Sequence, residues 1–167
     1  MAITWIDPVE ITPETAGSWQ DVDLSAYIPT SATGVMLHFV NRSTGSGYSV
    51  GFRKNGSTDS RRDNLYTNSH MCCAIGVDSQ QIVEIYIGSI PNVESYLVGY
   101  FEDESVFFTN ATEKAPSSIN TWLDCDISGQ TSDDTAIAAI WELTNTSTYD
   151  CGLRKNGSTD NRTQRAH

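Results

Sequence analysis

Apolar and polar residues alternate along most of this chain, in runs too short for helices. Residues 19–24 (WQDVDL) place Trp19, Asp21 and Asp23 on one side and Val22 and Leu24 on the other. Residues 35–39 interleave Val35, Leu37 and Phe39 with Met36 and His38. A period of two is the signature of a strand with one buried face. Similar runs occupy residues 3–6, 48–54, 70–77, 81–87 and 96–101, separated by Gly, Asn, Ser and Pro clusters. No amphipathic run of helical period lies between them, which argues against a parallel α/β sheet. The pattern predicts an all-β chain whose first part, seven or eight strands up to Phe101, is an antiparallel β-sandwich, either jelly-roll or immunoglobulin-like.

The chain also repeats itself. Residues 51–59 (GFRKNGSTD) return at 152–160 as GLRKNGSTD, where only Phe52 and Leu153 differ. Upstream, residues 18–25 (SWQDVDLS) lie over residues 121–128 (TWLDCDIS), and Tyr48 lies over Tyr149. Such a period marks a duplicated supersecondary unit. The expected organisation is a complete sandwich unit over residues 1–101 and a half-length second copy, the N-terminal half of the module, over residues 102–167. In that second copy, residues 106–109, 122–127 and 135–143 are expected to be strands. The last has a helix-favouring composition, but it lies over the β-branched, Gly-led residues 33–40. Asn55-Gly56 and Asn156-Gly157 predict type I′ turns, with residues 48–54 and 57–62 as the extended arms of the first hairpin. Half a β-module has unpaired edges and an uncovered core, so something is expected to cover it.

Charge sharpens the picture. Among 167 residues there are 10 Lys+Arg and 21 Asp+Glu, a net charge of -11. That balance excludes a nucleic-acid partner, whose phosphates need surplus cation. No apolar run nears the ~18 residues of a membrane span, so no membrane partner is expected. The opening residues, MAITWID, have neither the basic region nor the apolar stretch of a signal peptide. Eight of the ten cations sit in the two repeated hairpins: Arg53, Lys54, Arg61 and Arg62, then Arg154, Lys155, Arg162 and Arg165. The hairpins carry net charges of +2 and +3 and leave -16 for the rest of the chain. They read either as solvated turns or as basic prongs that dock on an acidic subunit surface or an anionic glycan. Segregation that occurs twice favours docking, which makes these eight residues the candidate binding site.

The remaining chemistry is sparse. Cys125 and Cys151 stand where the first copy has Val22 and Val50. They are expected to be neighbours, either joined as a disulfide or packed as two free thiols. The adjacent Cys72 and Cys73 point to opposite faces of a strand and are not expected to bond. His38, His70 and His167 make no zinc spacing with the cysteines, and no calcium loop or Gly-x-Ser-x-Gly elbow occurs. No metal, cofactor or catalytic residue is therefore expected. His38 reads as a packed strand residue, and Trp19 and Trp122 as anchors of their repeats.

The Trp-x-Asp-x-Asp-Leu/Ile-Ser openings at residues 19–25 and 122–128, the Arg-Lys-Asn-Gly-Ser-Thr-Asp hairpins and the strand Tyr-Leu-Val-Gly-Tyr-Phe at residues 96–101 resemble tandem β-sandwich modules of phage virion proteins. These are decoration, minor capsid and tail-associated modules. The resemblance implies a non-catalytic structural protein of a virion or similar extracellular assembly, acting through protein–protein contacts. It also implies a homo-oligomer, trimer or higher, in contact with other assembly proteins, located in the virion after assembly in the host cytoplasm. The alternative is a carbohydrate- or receptor-binding β-sandwich, in which exposed aromatics would stack on a glycan.

Overall fold

The computed structural model describes residues 2–102, 105–131, 136–143 and 150–165. Among them the regular structure is entirely strand, with no helix. The chain divides into two compact units, Met1–Ala111 and Thr112–His167.

The first unit holds eight strands: β1 (Ile3–Glu10), β2 (Trp19–Asp23), β3 (Ala32–Asn41), β4 (Tyr48–Lys54), β5 (Asp63–Leu65), β6 (Ser69–Gly76), β7 (Ile82–Ile87) and β8 (Val93–Glu102). They form two four-stranded antiparallel sheets, ordered β1-β8-β3-β6 and β2-β7-β4-β5. The pairing is nested: β1 with β8, β2 with β7, β3 with β6 and β4 with β5. Two further ladders, β3 with β8 and β4 with β7, complete the sheets.

The alternation seen in sequence becomes the burial pattern. Val83, Ile85 and Ile87 of β7 are fully buried, and Val93, Ser95, Leu97, Gly99 and Phe101 of β8 turn inward in the same period. Val35, Leu37 and Phe39 of β3 meet Val50 of β4 and the β7 residues in one core, with Leu24 just past β2. The Phe39 and Phe52 rings lie 6.0 Å apart, linking the sheets in a sandwich-like pair. Each such side chain contributes roughly 1.5–3 kcal/mol by leaving water. The buried Asn41 ends β3; its Nδ2 donates to the carbonyls of Ser46, Leu65 and Tyr66 at 3.0, 2.8 and 2.9 Å.

The hairpin between β4 and β5 differs from the expected form. Gly56 has φ 77°, but Asn55 is not in the left-handed region. A type I′ turn needs positive φ at both central residues, so this is the type II pattern, closed by Ser57 N donating to Lys54 O at 3.0 Å. Residues 57–62 are not a strand; β5 begins only at Asp63, opposite Val50. Side chains have taken the backbone partners of that arm: Asp59 N donates to Ser57 Oγ at 3.1 Å, and Arg53 Nη1 donates to Asp59 O at 2.6 Å.

The first unit runs on past β8. Phe107 packs 5.4 Å from Phe101, in the space left over the paired Gly34 and Gly76. Residues 106–109, expected to form a strand, are irregular.

In the second unit two-residue strands pair, β9 (Asp150–Cys151) with β10 (Gln164–Arg165). The expected strands at residues 122–127 and 136–143 carry no ladder, and Thr135 lies outside the described residues. The reason is that strand geometry needs a neighbour. In the first unit β7 pairs with β2, and β6 and β8 flank β3; among the described residues of the second unit no equivalent is present.

Replacing Phe39 with Ala should lower the stability of the first unit by about 3–5 kcal/mol, read as an earlier urea midpoint. Ile137, 95% exposed, should tolerate Ala with a change within about 0.5 kcal/mol.

Candidate functional site

The outer face of the second sheet carries a clasp built from three strands. Trp19 on β2 and Gly51 on β4 both pair with Tyr86 on β7, and Arg53 pairs with Glu84 one register step on. Because β-strand side chains alternate, all five share one face. The Trp19 indole reaches past Tyr86, with ring centroids 5.9 Å apart, and ends over Gly51. A Cβ at Gly51 would lie 2.7 Å from its Cη2, so only glycine fits there. The Arg53 guanidinium stacks 4.2 Å above the indole. Its Nε and Nη2 donate to Glu84 Oε2 and Oε1 at 3.0 and 2.7 Å. Arg62 repeats the stacking on Tyr86 at 4.6 Å. The Arg53 and Glu84 side chains are only 17% and 13% exposed. A two-handed, charge-assisted pair in that setting is stronger than an exposed one, and a stacked guanidinium adds ~0.5–2 kcal/mol.

The turn is held from the other side by the end of the unit. Asn110 Oδ1 accepts from Ser57 Oγ and Thr58 N, both at 2.9 Å. Ala111 N donates to Asp59 Oδ2 at 2.8 Å, and Arg61 Nη2 donates to the same oxygen at 3.0 Å. Lys54 Nζ lies 3.5 Å from Phe107 O. Asn55 Nδ2 donates to Asp78 Oδ2 at 2.7 Å. Burial works to raise the Asp78 pKa, but hydrogen bonds from Ile82 N, Asn55 and Gln80 N bring it below the usual carboxylate value. The four cations of this hairpin are thus drawn into contacts within the unit.

The second unit repeats the clasp with the same dimensions. Arg154 stacks 4.3 Å above Trp122. A Cβ at Gly152 would again lie 2.7 Å from the indole Cη2. Arg154 Nη1 donates to Asp160 O at 2.8 Å, and Arg162 Nη2 donates to Asp160 Oδ2 at 2.8 Å. Ser158 N closes the turn on Lys155 O at 3.0 Å, with Gly157 at φ 78°. What differs is the surroundings. Among the described residues no carboxylate holds Arg154 as Glu84 holds Arg53, and nothing stands where Asn110 and Phe107 cap the first hairpin. Leu153, Arg154, Lys155, Ser158, Asp160 and Arg162 instead line an open groove of about 430 Å³. Of Arg165 only the backbone is described, in β10.

None of the four cysteines is in a disulfide. Of the two forms left open for Cys125 and Cys151, the disulfide is not formed, and the first unit shows what separates the matching positions. Val22 and Val50 are on β2 and β4, which are separated by β7. Strands two apart lie roughly 10 Å from each other, beyond the ~7 Å limit for a disulfide. Among the described residues no group of three or more His, Cys, Asp or Glu is placed to hold a metal ion.

The outer face of the first sheet carries a looser cluster. Arg42 Nε donates to Glu94 Oε1 at 2.6 Å, with side chains 59% and 22% exposed. Hydrogen bonds from Arg42 and then from Tyr96 hold Glu94 below its usual pKa. His38, expected as a packed residue, is half-buried, and its Nε2 lies 3.1 Å from His70 Nδ1 with the rings stacked. Burial first, and the neighbouring His70 second, lower the His38 pKa.

Sequence reasoning singled out the cations but missed their partners. Glu84 had a signal, being the one charge in the run IVEIYI; Asn110 had none, since its role depends on where the chain returns after β8. Compared with protein-family models, with curated proteins and with solved structures, the chain gives no match.

In a double-mutant cycle, Arg53→Ala and Glu84→Ala should couple by about 1–3 kcal/mol, whereas Arg42→Ala and Glu94→Ala should couple by about 0–1 kcal/mol. Urea unfolding of the four singles and two doubles measures both. For His38 the folded pKa lies below the unfolded one, 6.5, so the unfolded chain binds that proton more readily. Stability should be full above that pH and should fall as pH drops through it towards the lower folded value. The urea midpoint should decline from about pH 7.5 to about pH 5, and His38→Phe should flatten the decline.

Proposed function

We propose that the chain is a non-catalytic assembly protein, working through protein–protein contacts in a virion or similar extracellular particle, as a homo-oligomer with other assembly proteins. The fold supports the reading in part. Nested pairing of β1 with β8 through β4 with β5 supports the jelly-roll reading, and that fold is used by viral capsid and lectin domains. An immunoglobulin-like sheet would instead set consecutive strands such as A and B side by side. Since one fold hosts many functions, the weight rests on a different observation: the apolar residues of the second unit lie open. Leu123, Ile137, Ile140, Leu143 and Leu153 are all exposed, although the sequence that carries them repeats a unit whose core is closed. Patches of that kind mark contact surfaces. In the half-length-copy reading, the second unit is a module with apolar surface left to be covered.

The carbohydrate-binding alternative is favoured by Trp5, 64% exposed on edge strand β1, and by Tyr27 and Tyr66. Against it, the rings of Trp19 and Tyr86 are already covered by Arg53 and Arg62. A glycan array separates the two readings.

Sedimentation equilibrium at low micromolar concentration should return a multiple of the 18.3 kDa chain mass. A mass of one chain throughout that range would remove the self-assembly reading.

A further inference from the structure

The two sheets of the first unit have four edges, which are β1, β6, β2 and β5. An edge strand offers unpaired backbone groups to any other strand, and proteins blunt it with charge, proline, a bulge or short length. Three of these edges are blunted. β1 carries Asp7, Pro8 and Glu10, and its register breaks between Trp5 and Val9. β2 has five residues, among them Asp21 and Asp23. β5 has three residues and begins with Asp63. β6 has none of these devices. It runs for eight residues, SHMCCAIG, without Asp, Glu, Lys, Arg or Pro. Its ladder with β3 keeps one register from Gly76 to Ser69.

The ladder also shows which groups β6 turns away from β3. Val77 N donates to Thr33 O at 3.2 Å, one step beyond the Gly34–Gly76 pair. Residues of an antiparallel strand alternate between bonding one neighbour and turning from it. His70, Cys72 and Ala74 therefore direct their N–H and C=O groups outward. Among the described residues these groups have no backbone partner. The adjoining side chains are incompletely covered as well. Met71, Cys73 and Ile75 pack against the core but are only half-buried, whereas Val83, Ile85 and Ile87 of β7 are fully buried.

We infer that β6 is the contact edge between two copies of this chain, pairing antiparallel with the same strand of the second copy across a two-fold axis at Cys72. Charge selects the occupant. A two-fold contact sets an edge against itself, so any carboxylate on it is brought to its own kind, which is destabilising. β1, β2 and β5 would all do this, and β6 alone would not. The nested pairing of the first unit already uses each of its eight strands, so the free side of β6 is a rim of the roll rather than a gap inside it. An axis at Cys72 sets the two Cys72 residues opposite each other and His70 opposite the second copy's Ala74. Every outward residue then meets an outward residue, giving about six ladder hydrogen bonds. The same closure covers the open sides of Met71 and Ile75. This rests on the reading of the chain as self-assembling and names the surface that does it.

The test is sedimentation equilibrium of the full chain at low micromolar concentration, as wild type, as Cys72→Lys, as Cys72→Glu, and as an equal mixture of the two variants. Cys72 is exposed, so the single chain accommodates either side chain. Each variant alone places like charges at the axis and should raise the dissociation constant about tenfold or more. The mixture places opposite charges there and should bring the constant back to near the wild-type value, which a folding defect would not do. Association indifferent to both changes, or weakened by both and not regained in the mixture, overturns the β6 contact and leaves the assembly reading standing. A wild-type chain that stays single removes the β6 contact and self-assembly together.

Discussion

The second sheet depends on one strand. β2 and β4 share no ladder; each pairs its backbone with β7, and only side chains cross between them. An open strand edge is a row of backbone donors and acceptors without partners, and burying such a row unpaired is costly. β7 answers that demand twice, once on each side. It also places Val83, Ile85 and Ile87 into the core and Glu84 and Tyr86 on the outer face. The Arg53–Glu84 pair is therefore more than a surface ion pair. It stands at one register position of the β4–β7 ladder, and slipping that ladder by one residue would turn the carboxylate inward and an isoleucine or valine outward.

The repeated hairpin has a different logic, because the turn itself closes on local contacts. Lys54 O accepts from Ser57 N, Ser57 Oγ accepts from Asp59 N, and Arg53 donates to Asp59 O. Lys54, Ser57, Arg53 and Asp59 are joined within the string, while Asn55 and Thr58 reach out to Asp78 and Asn110. The second copy closes the same bonds without the strands that surround the first. Short-range closure has a small loop entropy, so a hairpin of this kind takes its form before any sheet is complete. Ladders between β2, β7 and β4 join residues 29 to 67 positions apart in sequence and form only when all three strands are present.

That contrast explains what could be read from the chain and what could not. Period-two alternation placed β3, β7 and β8 and their inward residues, because burial on one face of a strand is written directly in residue type. The Trp19 anchor and the pairing of opposite faces in residues 19–24 were legible for the same reason. Strand neighbours were not. Val22 and Val50 look equivalent in sequence, both small, apolar and inward-facing, yet a whole strand separates theirs. The absence of a Cys125–Cys151 disulfide accords with that separation. The turn was misread for a smaller reason: Asn-Gly is compatible with two turn types, and side-chain bonds from Arg53 and Ser57, not the dipeptide, select between them. The cations of the first hairpin, conspicuous as an island of positive charge, turn out to be spent on Trp19, Tyr86, Glu84, Asp59 and the carbonyls of Asp59 and Phe107.

Charge segregation in a sequence thus has two structural meanings that only surroundings distinguish. In the first hairpin the cations face inward onto the unit's own rings and carboxylates, and net charge says little about partners. In the second, the same residue types on the same backbone lack the β7 carboxylate and the Asn110 cap among the described residues, and they border an open groove. A guanidinium stacked on indole is already ordered, and so is the turn beneath it. The second hairpin keeps local order without long-range closure, and the first shows what the surrounding strands add to the same turn.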